Sequence, residues 1–147
     1  MHVRLIVAGK PALAYAKAGV EEYLKRLSRF GSHELVTVKA GSREEVSARL
    51  LERSQGCYRI ALDERGEALG TRALAAKLDS LEARGDIKTA AFLIGAADGH
   101  SDELRRQSDL LLALSALTLQ HELALLVLLE QLYRVASIKG GSPYHRD

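Results

Sequence analysis

The sequence predicts an α/β fold, a parallel sheet with helices on both faces, and two observations predict it. Short β-type runs alternate with longer helical patterns about five times along the chain, which is how parallel strands joined by crossover helices read. At 147 residues and 47% hydrophobic, the chain can bury one continuous core but is too short for a second of ordinary size. One domain over residues 1–147 is therefore expected, without repeats or low-complexity linkers.

His2 to Val7 reads as the first strand. Pro11 then suits the first turn of a helix whose Leu13, Ala16, Val20, Tyr23, Leu24 and Leu27 share one face, with Lys25, Arg26 and Arg29 near its end. Glu34 to Val38 is a second strand, and Ser42-Arg43-Glu44-Glu45 is a capping box opening a helix that carries Val46, Leu50 and Leu51. A third strand ends at Leu62, and Asp63-Glu64-Arg65-Gly66 is a turn by composition. Thr71 can cap a helix that turns Leu74, Leu78 and Leu81 inward, and Thr89 to Ile94 is a buried fourth strand. Ser101 caps a short polar helix, Leu110 to Leu114 supplies a fifth strand, and Glu122 to about Lys139 forms a helix apolar on nearly every side. A helix of that kind needs burial all round, which a chain this small is not expected to supply alone, so a second subunit is expected against it.

The balance of 21 basic against 19 acidic residues leaves +2, so any nucleic-acid site must come from local clustering rather than overall charge. The single cysteine, Cys57, excludes an internal disulfide and a multi-cysteine metal site, and its apolar surroundings make it a packing thiol. This fits a reducing, cytoplasmic setting. No export signal is evident, and the leucine-rich stretch Leu110 to Leu129 is interrupted by Ser115, Thr118, Gln120, His121 and Glu122, so two buried segments and no membrane span are expected. The histidines are too dispersed for a metal site.

Neither a Walker loop nor a Gly-x-Gly-x-x-Gly fingerprint is present, which disfavours nucleoside triphosphates and ordinary dinucleotide folds. Gly95 and Gly99, after the fourth strand, form either a turn leading into a helix or a ligand loop where backbone approaches closely. Leu114 to Leu119 is either core or a cofactor loop. These segments at two neighbouring strand ends imply a cleft there. Tyr144-His145-Arg146 is either a frayed terminus or a phenol, an imidazole and a guanidinium able to stack on a base, exchange a proton and grip a phosphate. Arg134, Lys139 and Arg146 would give that end a positive edge.

Taken in order, several segments resemble the SPOUT superfamily of methyltransferases, and within it the ribosomal RNA large subunit methyltransferase H family of bacterial pseudouridine N3-methyltransferases. They are Leu5-Ile6-Val7-Ala8-Gly9-Lys10, Gly19 to Leu27, Ala61 to Gly66, Leu93-Ile94-Gly95, Leu114-Ser115-Ala116-Leu117-Thr118, Glu130-Gln131-Leu132-Tyr133-Arg134 and Pro143-Tyr144-His145-Arg146. The resemblance spans the chain. It implies a C-terminal trefoil knot, a homodimer, no metal, and S-adenosylmethionine held mostly by backbone groups. Leu62, Gly95 and Leu114, Ser115, Ala116, Leu117, Thr118 and Leu119 would form the cofactor pocket. Tyr144, His145 and Arg146 would be catalytic, working across the dimer on a pseudouridine of large-subunit rRNA in the assembled ribosome.

Three positions depart from the family pattern: Ala96 replaces a second glycine, Glu122 a proline after the histidine, and Leu125 an arginine in the last helix. The last two are expected to alter contact with RNA. Other readings the sequence leaves open are a related methyltransferase with another target nucleotide, a non-catalytic ribosome-associated module, and a flavodoxin-like domain with an unrelated ligand.

Overall fold

The computed structural model describes residues 1–146. Its elements are β1 (His2–Ala8), α1 (Ala14–Leu27) followed by a 3-10 turn (Ser28–Phe30), β2 (His33–Val38), α2 (Arg43–Arg53), β3 (Tyr58–Ala68), α3 (Thr71–Arg84), β4 (Thr89–Ile94), α4 (Asp102–Arg106), β5 (Leu110–Ala113) and α5 (His121–Lys139). The strands form one parallel sheet in the order β2-β1-β4-β3-β5. Successive side chains of a strand leave opposite faces, so the continuous apolar runs serve two cores. Val3, Leu5, Val7, Phe92 and Ile94 meet α1, α3 and α5 through Val20, Leu27, Leu74, Leu78, Leu128 and Leu132. Ile6, Ala8, Ala91 and Leu93 face the other way, onto Val46 and Leu50 of α2 and Leu104 of α4. Each fully buried large side chain contributes about 1.5–3 kcal/mol.

Most boundaries follow from local chemistry. Ser42 Oγ accepts from the Glu45 amide at 3.2 Å while Glu45 Oε1 accepts from the Ser42 amide at 3.0 Å, the reciprocal box expected at the start of α2. Ser101 caps α4 by accepting from the Leu104 amide at 3.1 Å. Elsewhere the structure corrects the sequence reading. Pro11 lies outside α1, whose N-cap is Leu13. The N-cap of α3 is Gly70, and Thr71 instead donates from its hydroxyl to Gln131 Oε1 of α5 at 2.6 Å. Leu114 falls one residue beyond β5, and α5 begins at His121 with Gln120 as its cap.

The largest correction concerns residues 63–66. They are an excursion within β3, which pairs with β5 on both sides of it: Leu62 and Glu67 both oppose Leu112. Gly66 is required there because the excursion crosses β5 backbone. A Cβ at that position would collide with the Leu111 carbonyl and stand 2.8 Å from the Leu112 amide nitrogen. The enclosure of α5 also differs from expectation. Every residue from 121 to 138 is buried or half-buried within the chain itself, against α1, α3 and the sheet, so its apolar composition does not by itself demand a second copy.

Candidate functional site

The carboxyl ends of β3, β4 and β5 open a cleft of about 610 Å³, in the crevice where open α/β sheets bind ligands. Leu62, Ile94 and Leu112 line it from the strands, residues 95–100, 114–115 and 117–121 from the segments that follow, and Asp63, Glu64 and Arg65 from the β3 excursion. Of the residues named for a cofactor pocket, Leu62, Gly95, Leu114, Ser115, Leu117, Thr118 and Leu119 all line it; Ala116 does not. The loop after β5 is held locally. Ser115 Oγ accepts from the Leu117 amide at 2.9 Å, and Thr118 Oγ1 donates to Glu64 Oε2 at 2.5 Å, joining that loop to the excursion. Leu117 projects from it with 73% of its surface exposed.

The excursion is in turn fixed to α4. Asp63, only 6% exposed in its side chain, receives Arg105 Nε at 2.7 Å and a second Arg105 nitrogen at 2.5 Å on one oxygen, and the Arg65 amide at 2.9 Å on the other. Breaking such a buried pair from one side costs about 3–5 kcal/mol, because a charge is left without its partner.

His100 also lines the cleft, 8% exposed, yet neither ring nitrogen has a well-formed hydrogen bond among the described residues. Burial pushes its pKa below the usual histidine value, opposed by the Asp63 carboxylate and by the Leu62 and Leu93 carbonyls nearby. The imidazole is therefore neutral at pH 7. Gly95 leaves room for it: a Cβ there would sit 3.1 Å from His100 Nδ1 and 3.2 Å from the Gly99 carbonyl oxygen. A cleft with leucine walls, charged groups at its mouth, a bare glycine and an imidazole without a well-formed hydrogen bond fits a cofactor with both apolar and polar parts.

Tyr144, His145 and Arg146 do not line this cleft in the single chain. The tail rests on α5 and α1. The Tyr144 ring stands edge-on to Tyr133 at 4.6 Å, and Arg134 lies 5.0 Å over its centre. Its hydroxyl is 3.4 Å from that of Tyr23 and donates to Glu130 Oε1 at 3.3 Å. Burial, the Tyr23 contact and the Glu130 charge hold its pKa far above the usual phenol value, so Tyr144 remains a neutral phenol. Arg134, bound to Glu130 through Nε at 2.5 Å, also meets His145 Nδ1 at 3.4 Å. Arginine can only donate, so this contact needs Nδ1 without its proton.

The two departures at the start of α5 turn inward and are buried in the chain's own packing. Glu122 Oε1 accepts from the amides of Ala12 at 2.5 Å and Leu13 at 3.1 Å, capping α1 from a distant part of the chain. Leu125 is 2% exposed in the core. Sequence reasoning missed Asp63, Glu64, Arg105 and His100. Asp63 and Glu64 were read as turn residues by composition, and no local pattern announces an ion pair across 42 positions. The signal for His100 was its place between Gly99 and the Ser101 cap at the end of a buried strand.

Among the described residues no helix is long and apolar enough to cross a membrane. Residues 1–145 match the family described as Predicted SPOUT methyltransferase. A protein of Thermus thermophilus named Ribosomal RNA large subunit methyltransferase H is 49% identical over 146 residues, covering 99% of each chain. A probable methyltransferase from Bordetella pertussis superposes with a TM-score of 0.60 at 13% identity, over 92% of this chain and 96% of that one. The SpoU methyltransferase AviRb from Streptomyces viridochromogenes, solved in complex with the cofactor AdoMet, gives 0.50 at 15% identity, over 96% of this chain and 59% of that one.

Proposed function

The chain belongs to the SPOUT methyltransferase family, and from that premise we propose that it transfers the methyl group of S-adenosylmethionine to N3 of a pseudouridine in large-subunit (23S) rRNA of the assembled ribosome. The observation that carries this reading is the cleft: residues far apart in sequence, from Leu62 to Leu119, converge on one cavity of cofactor size at the strand ends. The name of the 49% identical relative supplies the substrate class, and the bound AdoMet of AviRb supports the cofactor. Glu122 and Leu125, absorbed into this chain's own packing, give no support to a non-catalytic module.

Leu62, Gly95, Leu114, Ser115, Leu117, Thr118 and Leu119 would hold the cofactor, with Ala116 keeping the course of that loop. When bound, it supplies an electrophilic methyl carbon on a sulfonium sulfur. The chain's own task is to align the base with that carbon, which in well-oriented systems is worth effective molarities of about 10⁵ M or more, and to remove the N3 proton. Tyr144, kept as a phenol, packs on the base and can donate a hydrogen bond but not act as the base catalyst. His145, or the nearby Glu130 carboxylate, takes the proton; in the resting tail Arg134 contacts both, so it must release the one that acts. Arg146 stabilises the developing anion or an adjacent phosphate.

A tail that lies away from its own cleft acts in a homodimer, on the cleft of the partner. Exposed Leu13 and Tyr15 at the start of α1, which Glu122 ties to the start of α5, and exposed Leu117 by the cleft supply apolar surface for that contact. The reading includes a trefoil knot in the C-terminal segment and a cytoplasmic site of action, where ribosomes are.

The test is methyl transfer from labelled S-adenosylmethionine to intact ribosomes lacking the modification, with isolated subunits and free rRNA in parallel and nucleoside analysis of the product. Label in N3-methylpseudouridine on intact ribosomes is expected. Cofactor binding without label, or label in another nucleoside, would overturn the substrate assignment, and full activity in His145→Ala would remove that residue from the proton transfer.

A further inference from the structure

Where α1 ends against α5, a second cleft of about 430 Å³ is lined by Lys25, Arg26, Arg29, Phe30 and Tyr133, with Glu22 its one acidic residue. Basic residues at a helix C-terminus commonly serve the helix dipole, and Arg26 is accounted for inside the fold. It pairs with Glu22 at 3.4 Å and stacks over the rings of Tyr23 and Tyr133 at 5.2 and 5.5 Å. Lys25 and Arg29 are different. Both are exposed, neither joins an ion pair among the described residues, and Arg29 lies beyond α1 in the 3-10 turn. Next to them Phe30 keeps 38% of its surface exposed, an apolar ring set among cations.

This surface continues into the tail. Tyr133 stands edge-on to Phe30 at 5.9 Å on one side and to Tyr144 at 4.6 Å on the other. Unpaired cations beside an exposed aromatic ring are the combination that binds single-stranded or looped RNA, the cations taking phosphates and the ring an unstacked base. We propose that the Lys25–Arg29–Phe30 cleft is an RNA docking surface that holds the rRNA strand flanking the target nucleotide, with Lys25 and Arg29 on phosphates and Phe30 against a base. The inference rests on the reading of the protein as an rRNA methyltransferase and adds to it where the strand runs.

The experiment measures the affinity of the full-length protein for ribosomes lacking the modification, across roughly 50 to 200 mM salt, alongside its affinity for S-adenosylmethionine. Lys25→Glu with Arg29→Glu is expected to lower ribosome affinity at least tenfold and to reduce the slope of log affinity against log salt by about 1.4 to 1.8, the loss of two phosphates. Phe30→Ala should lower affinity about tenfold with the slope unchanged. Lys25→Arg with Arg29→Lys should retain both. Cofactor affinity stays at the wild-type value in all of them, which certifies the fold; should the double variant not fold, Lys25→Gln and Arg29→Gln each read about half the slope change. Unchanged ribosome affinity and slope in the folded charge-reversed protein would overturn the docking surface alone. A wild-type protein that binds cofactor but no ribosome would overturn the functional reading and this inference together.

Discussion

The His100 imidazole fills the space that a side chain at Gly95 would need. Adding a methyl group at Gly95 forces the imidazole or the Gly99 carbonyl to yield by a few tenths of an ångström, so Gly95→Ala is expected to weaken S-adenosylmethionine binding about tenfold, read by calorimetric titration, at a stability cost of ~1 kcal/mol. His100 makes a separate prediction through pH. Its native pKa lies below the unfolded value of about 6.5, so as pH falls the unfolded chain takes up the proton first and stability declines below that point. His33, also lowered mainly by burial, contributes in the same direction. Urea unfolding of wild type and His100→Leu between about pH 7 and 5 isolates the first effect: the variant should lose less stability on acidification, and parallel curves would show that His100 titrates alike in both states. The aromatic and cationic residues of the tail were readable from residue type alone. Their resting place was not, because Tyr23, Glu130 and Arg134 reach Tyr144 and His145 through tertiary packing that no spacing encodes.

Among elements, β3 is the one whose irregularity shapes the site. Its excursion carries Asp63 to Arg105, Glu64 to Thr118 and Gly66 onto β5, so three neighbours fix the mouth of the cleft. Gly66→Ala is expected to cost about 3 kcal/mol, since backbone rather than a flexible side chain opposes the added carbon, and thermal unfolding measures it. At the start of α5, Glu122→Ala should cost about 1.5–3 kcal/mol by leaving the Ala12 and Leu13 amides without their acceptor, while Glu122→Gln, which keeps an acceptor, should cost less. The strands and helices themselves were legible because apolar periodicity and the Ser42 and Ser101 caps act locally. The excursion read as a turn because Asp and Gly favour turns and the Glu and Arg between them are polar; only the register against β5 distinguishes a loop between elements from one inside a strand.

For the whole molecule, the distance between cleft and tail makes the assembly testable without a structure of it. At sub-saturating S-adenosylmethionine, mixing Gly95→Ala with His145→Ala subunits should bring activity to about a quarter of wild type, above the roughly one tenth left by Gly95→Ala alone, if tails act on the partner's cleft, since half the dimers then hold one intact site. No recovery would place the tail's action within its own chain. The sheet order has a further consequence, in time. β3 lies between β4 and β5, both later in sequence, while β1 and β2 pair with each other early. During synthesis an apolar strand therefore waits, for a period on the order of seconds, until β4 inserts between it and β1. Through that interval the nascent chain carries an unpaired hydrophobic edge, so its yield in the cell is governed by how fast residues 69–94 follow, and slowing translation there should divert chains to aggregates before the cleft exists.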